Sequence, residues 1–203
     1  MIKDSIPLGV NLLAVSKGHK HDSIRKLSGY GQLDFGESRL QEAILKKIDL
    51  SDLTQLRWHF VGTLQKNKVR RVIKEFDFIH SVDSLPLLER ISRIALEEQK
   101  TPNIFLQVKF KDDPNKGGFL KEELLKSWSK IISLKNINLI GLMAIPPIIL
   151  NSYQRKDLFC ECRNFANHLG LKDCSMGMSN DWQEAIQGGA TWIRLGSLLF
   201  GKR

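Results

Sequence analysis

The chain has 203 residues, enough for one sizeable hydrophobic core but not for two, and its 42% hydrophobic and 26% charged residues are typical of a soluble globular protein. No apolar run approaches the roughly 20 residues of a membrane span, and three cysteines, an odd number close together in the sequence, make a poor disulfide framework. The net charge of +9 permits binding to nucleic acid, but the basic residues are spread along the whole chain, which favours a solvated basic surface that attracts small anions.

The predicted elements alternate between short strands and longer helices. Short apolar runs rich in β-branched residues predict eight strands, at Leu12–Ser16, Leu33–Glu37, Trp58–Gly62, Phe78–Val82, Asn103–Val108, Leu139–Ile145, Asp173–Met178 and Thr191–Gly196. Segments with apolar residues at helical spacing predict seven helices, at His21–Leu27, Leu40–Lys47, Asn67–Phe76, Leu85–Gln99, Lys121–Ile132, Ser152–Leu169 and Trp182–Gln187. A short N-terminal extension precedes the first strand.

Strands that alternate with helices indicate βαβ units and a parallel sheet. Eight such units in succession are the number that closes a (β/α)8 barrel of the TIM type. No linker or low-complexity segment interrupts them, so we expect residues 1–203 to form a single α/β domain. The alternative is an open doubly wound sheet, because hydrophobic periodicity does not show whether a sheet closes.

A barrel of this type places its site at the carboxyl ends of the strands. Lys17 follows the first strand and Arg194 lies near the end of the eighth, and these two strands are neighbours in a closed barrel. The loops after strands seven and eight commonly bind phosphate, and here they contain Ser179, Gly196 and Ser197. A lysine beside such donors suggests a Schiff base with a phosphorylated aldehyde or ketone, although a strand-end lysine is more often only solvated.

Three further residues lie in or just after predicted strands. Ser38 follows the second strand, and Met143, late in the sixth, is more typical of a core residue than of a chemical group. His59 lies between Trp58 and Phe60 in the third strand, where a hydrogen-bonded core histidine is commoner than an acid or base. The residues alone therefore leave these functions open.

Short sequence blocks, in register along the chain, resemble one known family. They are Leu13–Lys17, Asp34–Glu37, Trp58–Gly62, Leu64–Lys68, His80–Asp83, Lys116–Phe119, Gly141–Pro146, Ser175–Asp181 and Ile193–Ser197. Any one block is a weak signal, but together they are specific and span nearly the whole chain. The chain resembles the pyridoxal phosphate homeostasis protein family, whose fold is the N-terminal barrel of alanine racemase.

The resemblance implies that the chain binds pyridoxal 5′-phosphate, abbreviated PLP, as a Schiff base on Lys17. Within the matching motifs, Arg194 corresponds to the arginine that is placed towards the pyridine nitrogen. Ser179, Gly196 and Ser197 correspond to positions that hold the phosphate. The resemblance thus makes the lysine the expected attachment point of the cofactor.

The resemblance also implies that His59 and Met143 border the cofactor, because they lie in matching strands. One departure concerns Ser38, which stands where the family usually has asparagine. Serine is shorter and offers one hydroxyl in place of an amide that both donates and accepts, so we expect an altered contact there. The N-terminal helix that is typical of the family is expected to be short or absent here.

The expected function is to bind, buffer or deliver PLP in intracellular vitamin B6 homeostasis, without strong catalytic activity. Carbanion chemistry on PLP requires a protonated pyridine nitrogen, and an arginine donates a hydrogen bond there without supplying the proton. Racemases of related fold also use a tyrosine from a second, C-terminal domain, which we expect to be absent because the chain ends shortly after the eighth strand. Its two tyrosines, Tyr30 and Tyr153, lie outside the predicted site.

Two other classes of function stay open. A PLP-dependent amino-acid racemase or lyase would turn over an amino acid and lose this activity without Lys17. A nucleic-acid-binding protein would bind oligonucleotides with a steep salt dependence, whether or not the lysine is present. We expect PLP and PLP-dependent apoenzymes, as acceptors, to be the partners, with no nucleic acid and no membrane. We also expect a cytoplasmic monomer without metal ligands or catalytic residues of its own.

Overall fold

Eight parallel strands form a barrel in the computed structural model of the protein, which describes residues 5–201. A short additional strand, β6, pairs with β5 and has no counterpart in the sequence prediction. In chain order the strands are β1 (Asn11–Val15), β2 (Asp34–Glu37), β3 (Arg57–Phe60), β4 (Phe78–Val82), β5 (Asn103–Lys109), β6 (Phe119–Leu120), β7 (Asn138–Met143), β8 (Asp173–Ser175) and β9 (Trp192–Leu195).

The pairing of the strands closes the sheet. β1 pairs with β2 on one side and with β9 on the other, and β4 pairs with β5. Between β1 and β9, Leu13 lies opposite Arg194 and Ala14 lies opposite Leu195. The prediction of a (β/α)8 barrel is therefore confirmed, and the alternative of an open doubly wound sheet is wrong.

Helices follow the strands and cover the outside of the barrel. They are α1 (His21–Gly29), α2 (Leu40–Asp49), α3 (Val69–Glu75), α4 (Leu85–Glu97), α5 (Lys121–Ser133), α6 (Ser152–His168), α7 (Trp182–Gln187) and α8 (Ser197–Phe200). In α4, for example, buried Leu87, Ile91 and Ile94 recur every three or four residues and give the helix one apolar face. Within residues 5–201, each helix is too short or too polar to cross a lipid bilayer.

Alternate residues of each strand point into the barrel. One apolar cluster packs in this interior, apart from the larger core between the sheet and the helices: Leu13, Phe105, Met143 and Trp192. Arg194 follows Trp192 by two residues in β9, so it faces inward as well, nearer the carboxyl end of the strand. Lys17 follows Val15 by two residues and continues the inward series of β1. The strand periodicity thus directs both charged side chains to the same end of the barrel.

Gly141→Ala is expected to lower the free energy of unfolding by about 1–3 kcal/mol, the usual cost of overpacking. Gly141 in β7 lies opposite Asp173 in β8, and a Cβ atom at this position would overlap the Asp173 carbonyl oxygen. Strands in a closed barrel are paired on both sides, so the two backbones cannot separate to relieve the clash. Urea unfolding followed by circular dichroism measures the loss.

Gly29→Ala is the matched control for this prediction. A Cβ atom at Gly29 would meet no other atom within 4 Å, and the residue lies in the last turn of α1. Alanine is the better helix former, so we expect a stability that is unchanged or slightly higher. An equal loss of stability in both variants would contradict the explanation.

Candidate functional site

A cavity of about 640 Å³ opens at the carboxyl ends of the barrel strands. Its wall also includes an apolar segment, residues 145–148, and Asp181. Six of the eight residues that the sequence predicts for the site line the cavity: Lys17, Met143, Ser179, Arg194, Gly196 and Ser197. The fold therefore brings together side chains that are as far apart as 180 residues in the sequence, as the order of the strands predicts.

Lys17 lies in a tight turn directly after β1. The backbone N–H of His19 donates to the carbonyl oxygen of Ser16 at 3.0 Å, which closes the turn. Gly18 has a φ angle of 77°, a value that glycine adopts without strain. The N–H of Gly18 also donates to Glu42 Oε1 in α2 at 2.5 Å. These contacts fix the backbone from which the lysine side chain extends.

A buried charged cluster supports this turn. Lys46 of α2 donates to Glu37 Oε1 at 2.6 Å, to Glu42 Oε1 at 2.7 Å and to the carbonyl oxygen of Ser16 at 2.8 Å. The Ser16 hydroxyl donates to the same oxygen of Glu37 at 2.7 Å. Burial raises the pKa of Glu37, although the hydrogen bonds from Lys46 and Ser16 oppose the increase. The position of the turn therefore depends on a buried ion pair.

Hydroxyl and backbone N–H donors meet at the ends of β8 and β9. The backbone N–H of Gly196 donates to Ser179 Oγ, with 3.4 Å between nitrogen and oxygen, and α8 begins at the next residue, Ser197. The first N–H groups of a helix have no acceptor within that helix, so they are available to a ligand. Gly177 has a φ angle of 88°, which turns the chain after β8. This set of neutral donors suits a phosphate group.

Arg194 is buried in the wall of the cavity. Its Nη1 donates to the carbonyl oxygen and to Oγ of Ser175, at 2.6 and 2.9 Å, and its Nη2 donates to the carbonyl oxygen of Ala144 at 3.1 Å. Burial lowers the pKa of Arg194 to about 10, so the guanidinium stays charged at neutral pH. A guanidinium has five N–H groups, and these three hydrogen bonds use two on Nη1 and one on Nη2. One N–H on Nε and one on Nη2 are left for a ligand in the cavity.

His59 and Ser38 are not among the residues that line this cavity. His59 is fully buried, its Nε2 lies 2.9 Å from Asp34 Oδ1, and its ring stacks on Phe78 with 4.1 Å between centroids. Both of its ring nitrogens are engaged inside the barrel, so it is a hydrogen-bonded core histidine. Ser38 is half-buried after β2, and its carbonyl oxygen lies against the backbone of Gly62.

Three residues that hold site residues in place through hydrogen bonds were not predicted from the sequence. Lys46 lies on the buried face of an amphipathic helix, which is an unusual position for a lysine and is a usable signal. His80 lies two residues after Phe78 in β4 and points into the barrel on the same face. A polar residue in such a buried strand is a second usable signal. Ser175, which accepts a hydrogen bond from Arg194, carries no comparable signal in the sequence.

Known proteins with similar sequences cover nearly the whole chain. The sequence model of the family described as “Alanine racemase, N-terminal domain” matches residues 1–203. A curated pyridoxal phosphate homeostasis protein from Synechocystis sp. is 43% identical over 205 residues, which cover 98% of this chain and 94% of that protein. A protein of the same name from Pseudomonas aeruginosa is 40% identical, with 97% and 86% covered.

Solved structures show the same relationship. PipY of Synechococcus elongatus, solved with PLP bound, superimposes with a TM-score of 0.95 at 42% identity, covering 98% of this chain and 96% of its own. PipY without PLP gives a TM-score of 0.97 at 44% identity, with the same coverage. Alanine racemase of Clostridium difficile 630 gives 0.75 at 17% identity and covers 100% of this chain but 55% of the racemase, so it shows a shared fold alone.

Proposed function

The chain belongs to the pyridoxal phosphate homeostasis protein family, and we propose on this premise that it binds PLP in the cavity described above and serves intracellular vitamin B6 homeostasis. The observation that carries the proposal is the set of residues that line this cavity. An amine, a buried guanidinium and a set of hydroxyl and N–H donors meet there. PLP has three polar parts of matching chemistry, namely an aldehyde, a pyridine nitrogen and a phosphate. We further propose that residues 1–203 form a single domain.

Each group in the cavity has a part to play in this proposal. When bound, PLP supplies an aldehyde carbon with which the Lys17 amine condenses, with loss of one water molecule, to give a Schiff base. Arg194 donates a hydrogen bond to the pyridine nitrogen. The donors of Ser179, Gly196 and Ser197 hold the phosphate. Met143, which also lines the cavity, offers apolar contact to the pyridine ring, as its buried thioether is suited to do.

We propose that the protein stores or delivers PLP and has no strong catalytic activity. Arg194 stays charged at neutral pH and is a donor only, so it keeps the pyridine nitrogen unprotonated and leaves PLP a weak electron sink. Tyr30 and Tyr153 are exposed and are not among the residues that line the cavity. Delivery to PLP-dependent apoenzymes, a monomeric state and a cytoplasmic location stay predictions from the sequence.

Local ion pairing supports this function over binding to nucleic acid. Arg70 lies in Lys66–Arg71, the densest basic stretch of the sequence, and its guanidinium is paired with Glu97 and Glu98. Lys74 lies 2.9 Å from the same Glu98 carboxylate. Phosphate backbones attract basic groups whose charge is not already compensated. These groups are compensated within the protein and are poorly suited to bind a polyanion.

Incubation of the purified protein with PLP is expected to give a visible absorption band that borohydride reduction removes. Peptide mass analysis of the reduced protein is expected to find one adduct per chain, on Lys17. The physical reason is that only an amine beside the phosphate donors holds the aldehyde carbon in place for long. The absence of a band, or an adduct on another lysine, would overturn the proposed site.

The same preparation separates a carrier from an enzyme. L- and D-amino acids are added to the PLP-loaded protein, and racemisation or elimination is followed by chiral chromatography. A carrier is expected to show no rate above that of free PLP at equal concentration. Steady turnover would contradict the carrier and would favour the alternative of a PLP-dependent racemase or lyase.

A further inference from the structure

A chain of hydrogen bonds crosses the barrel interior from β2 to β9. His59 Nε2 lies 2.9 Å from Asp34 Oδ1, and His59 Nδ1 lies 3.0 Å from His80 Nε2. His80 Nδ1 lies 2.8 Å from Ser175 Oγ, and Ser175 Oγ accepts from Arg194 Nη1 at 2.9 Å. The chain connects five residues from five different strands, and it ends at the guanidinium in the cavity wall.

The far end of this chain is a fixed hydrogen-bond acceptor. Asp34 accepts from Arg57 Nε at 2.7 Å and from Arg57 Nη2 at 2.5 Å. Although burial alone would raise the pKa of Asp34, the hydrogen bonds from His59 and Arg57 lower it. The carboxylate is therefore ionised and can only accept, so the His59 Nε2 atom must carry a proton.

The positions of the other protons in the chain follow from its two ends, since Asp34 can only accept and Arg194 can only donate. Burial lowers the pKa of both histidines, so each ring is neutral and carries one proton. With its proton on Nε2, His59 accepts at Nδ1 from His80 Nε2–H, and His80 then accepts at Nδ1 from the Ser175 hydroxyl. Ser175 Oγ has lone pairs left to accept a hydrogen bond, and Arg194, which can only donate, supplies it. All four bonds are satisfied in one direction, from Arg194 to Asp34.

The surroundings of the chain are apolar. His59 stacks on Phe78, and His80 stacks on Phe105 with 4.3 Å between centroids. Both histidines are fully buried, and Trp192 lies beside them. A polar atom of either histidine that loses its partner is left unsatisfied in these apolar surroundings, so each hydrogen bond of the chain supports the next one.

We propose that His80 and Ser175 are positioning residues for Arg194, which they hold in the orientation that faces the pyridine nitrogen of PLP. This inference rests on the proposed function for its consequence, although the proton arrangement of the chain stands without it. Ser175 occupies both Nη1 donors of Arg194 through its carbonyl oxygen and its hydroxyl. The Ser175 hydroxyl donates to His80 Nδ1, and this bond fixes the orientation in which its oxygen accepts from Arg194, so removal of His80 frees the serine to rotate.

Nitrogen-15 NMR of the protein without PLP tests the proton arrangement. The chain has five histidines, so the variants His59→Gln and His80→Gln assign the two buried rings. We expect both rings to be neutral, with the proton on Nε2 and none on Nδ1. A protonated ring, or a proton on Nδ1 of either residue, would overturn the chain as described. This readout does not involve PLP, so it stands even if the proposed function fails.

PLP titration followed by absorption tests the positioning role. His80→Phe is expected to weaken PLP binding about tenfold and to shift the absorption band, because Arg194 loses the fixed Ser175 hydroxyl as an acceptor and keeps only its two carbonyl acceptors. His80→Gln, whose amide can accept from Ser175 and donate to His59, is expected to restore the band and to bind within about threefold of wild type. Ser175→Ala breaks the chain at the next link and is measured as well, which covers a failure of His80→Phe to fold.

Phe105→Leu is the control for a general loss of packing, because Phe105 stacks on His80 but makes no hydrogen bond of the chain. It is expected to lower the unfolding midpoint and to leave the absorption band and the PLP affinity unchanged. Equal effects of His80→Phe, Ser175→Ala and Phe105→Leu on affinity and band would overturn the positioning role. Absence of PLP binding by the wild-type protein would instead overturn the proposed function.

Discussion

Lys17→Ala is expected to abolish the visible band of bound PLP and the adduct that borohydride fixes. The amine of Lys17 is the one amine that the cavity wall presents beside the donors at the ends of β8 and β9, within the described part of the chain. Without a Schiff base, PLP keeps the phosphate donors, Arg194 and the apolar contact with Met143, and we expect the affinity to fall at least about tenfold. Absorption titration and reduction followed by peptide mass analysis measure both effects.

Two matched variants separate amine chemistry from charge. Lys17→Arg keeps a positive charge at the same position but has no amine that condenses with an aldehyde, so we expect the band to be lost here too. Lys20→Ala removes a lysine three residues away, which precedes α1 and is exposed, and the band is expected to persist. If Lys17→Ala kept the band while Lys20→Ala lost it, the attachment point would be the second lysine.

The strands of the barrel were predictable because each one is a buried run between turns. Their ends were less so. The seventh strand was predicted to extend to Met178, whereas β8 ends at Ser175. The positive φ angle of Gly177 turns the chain away from the ladder, and hydrophobicity does not report this backbone angle. The same limit explains why the short elements β6 and α8 were missed, since two to four residues carry no measurable periodicity.

The candidate site was predictable where a strand end supplies it directly. Lys17 and Arg194 follow from strand order and period-two alternation, because β1 and β9 are neighbours. The hydrogen bond between His80 and Ser175 joins residues that are 95 positions apart, and their contact depends on the register of strands across the barrel. Only the three-dimensional structure shows that the core histidine and the cavity arginine belong to one chain of bonds.

Lys46→Met is expected to lower the free energy of unfolding by about 3–5 kcal/mol at neutral pH, because it leaves a buried carboxylate without its cation. Lys46 and Glu37 are both buried, and the ammonium lies 2.6 Å from Glu37 Oε1. Met has a similar length and keeps the apolar contacts of the lysine stem, so the loss reports the charge rather than a cavity. Urea unfolding at several pH values is the measurement.

The stability lost in Lys46→Met is expected to depend on pH, because the variant changes the pKa of Glu37. Burial raises the pKa of Glu37 in the folded protein, and the hydrogen bonds from Lys46 and Ser16 oppose that shift. Without Lys46 the folded pKa rises further, so protonation of Glu37 on folding becomes more favourable. A carboxyl group with a raised folded pKa stabilises the fold below its unfolded pKa and loses this contribution as the pH rises through the folded value. The deficit of Lys46→Met is therefore expected to be largest at neutral pH and to shrink as the pH falls.

Lys47→Met and a double variant make the argument specific to the buried pair. Lys47 is the next residue, is partly exposed and lies 3.1 Å from Glu75, so its removal is expected to cost less than about 1 kcal/mol. Glu37→Gln combined with Lys46→Met removes both charges and is expected to recover much of the stability that Lys46→Met alone loses. Equal losses in the two lysine variants, or no recovery in the double variant, would show that the cluster beneath Lys17 is not held by its ion pair.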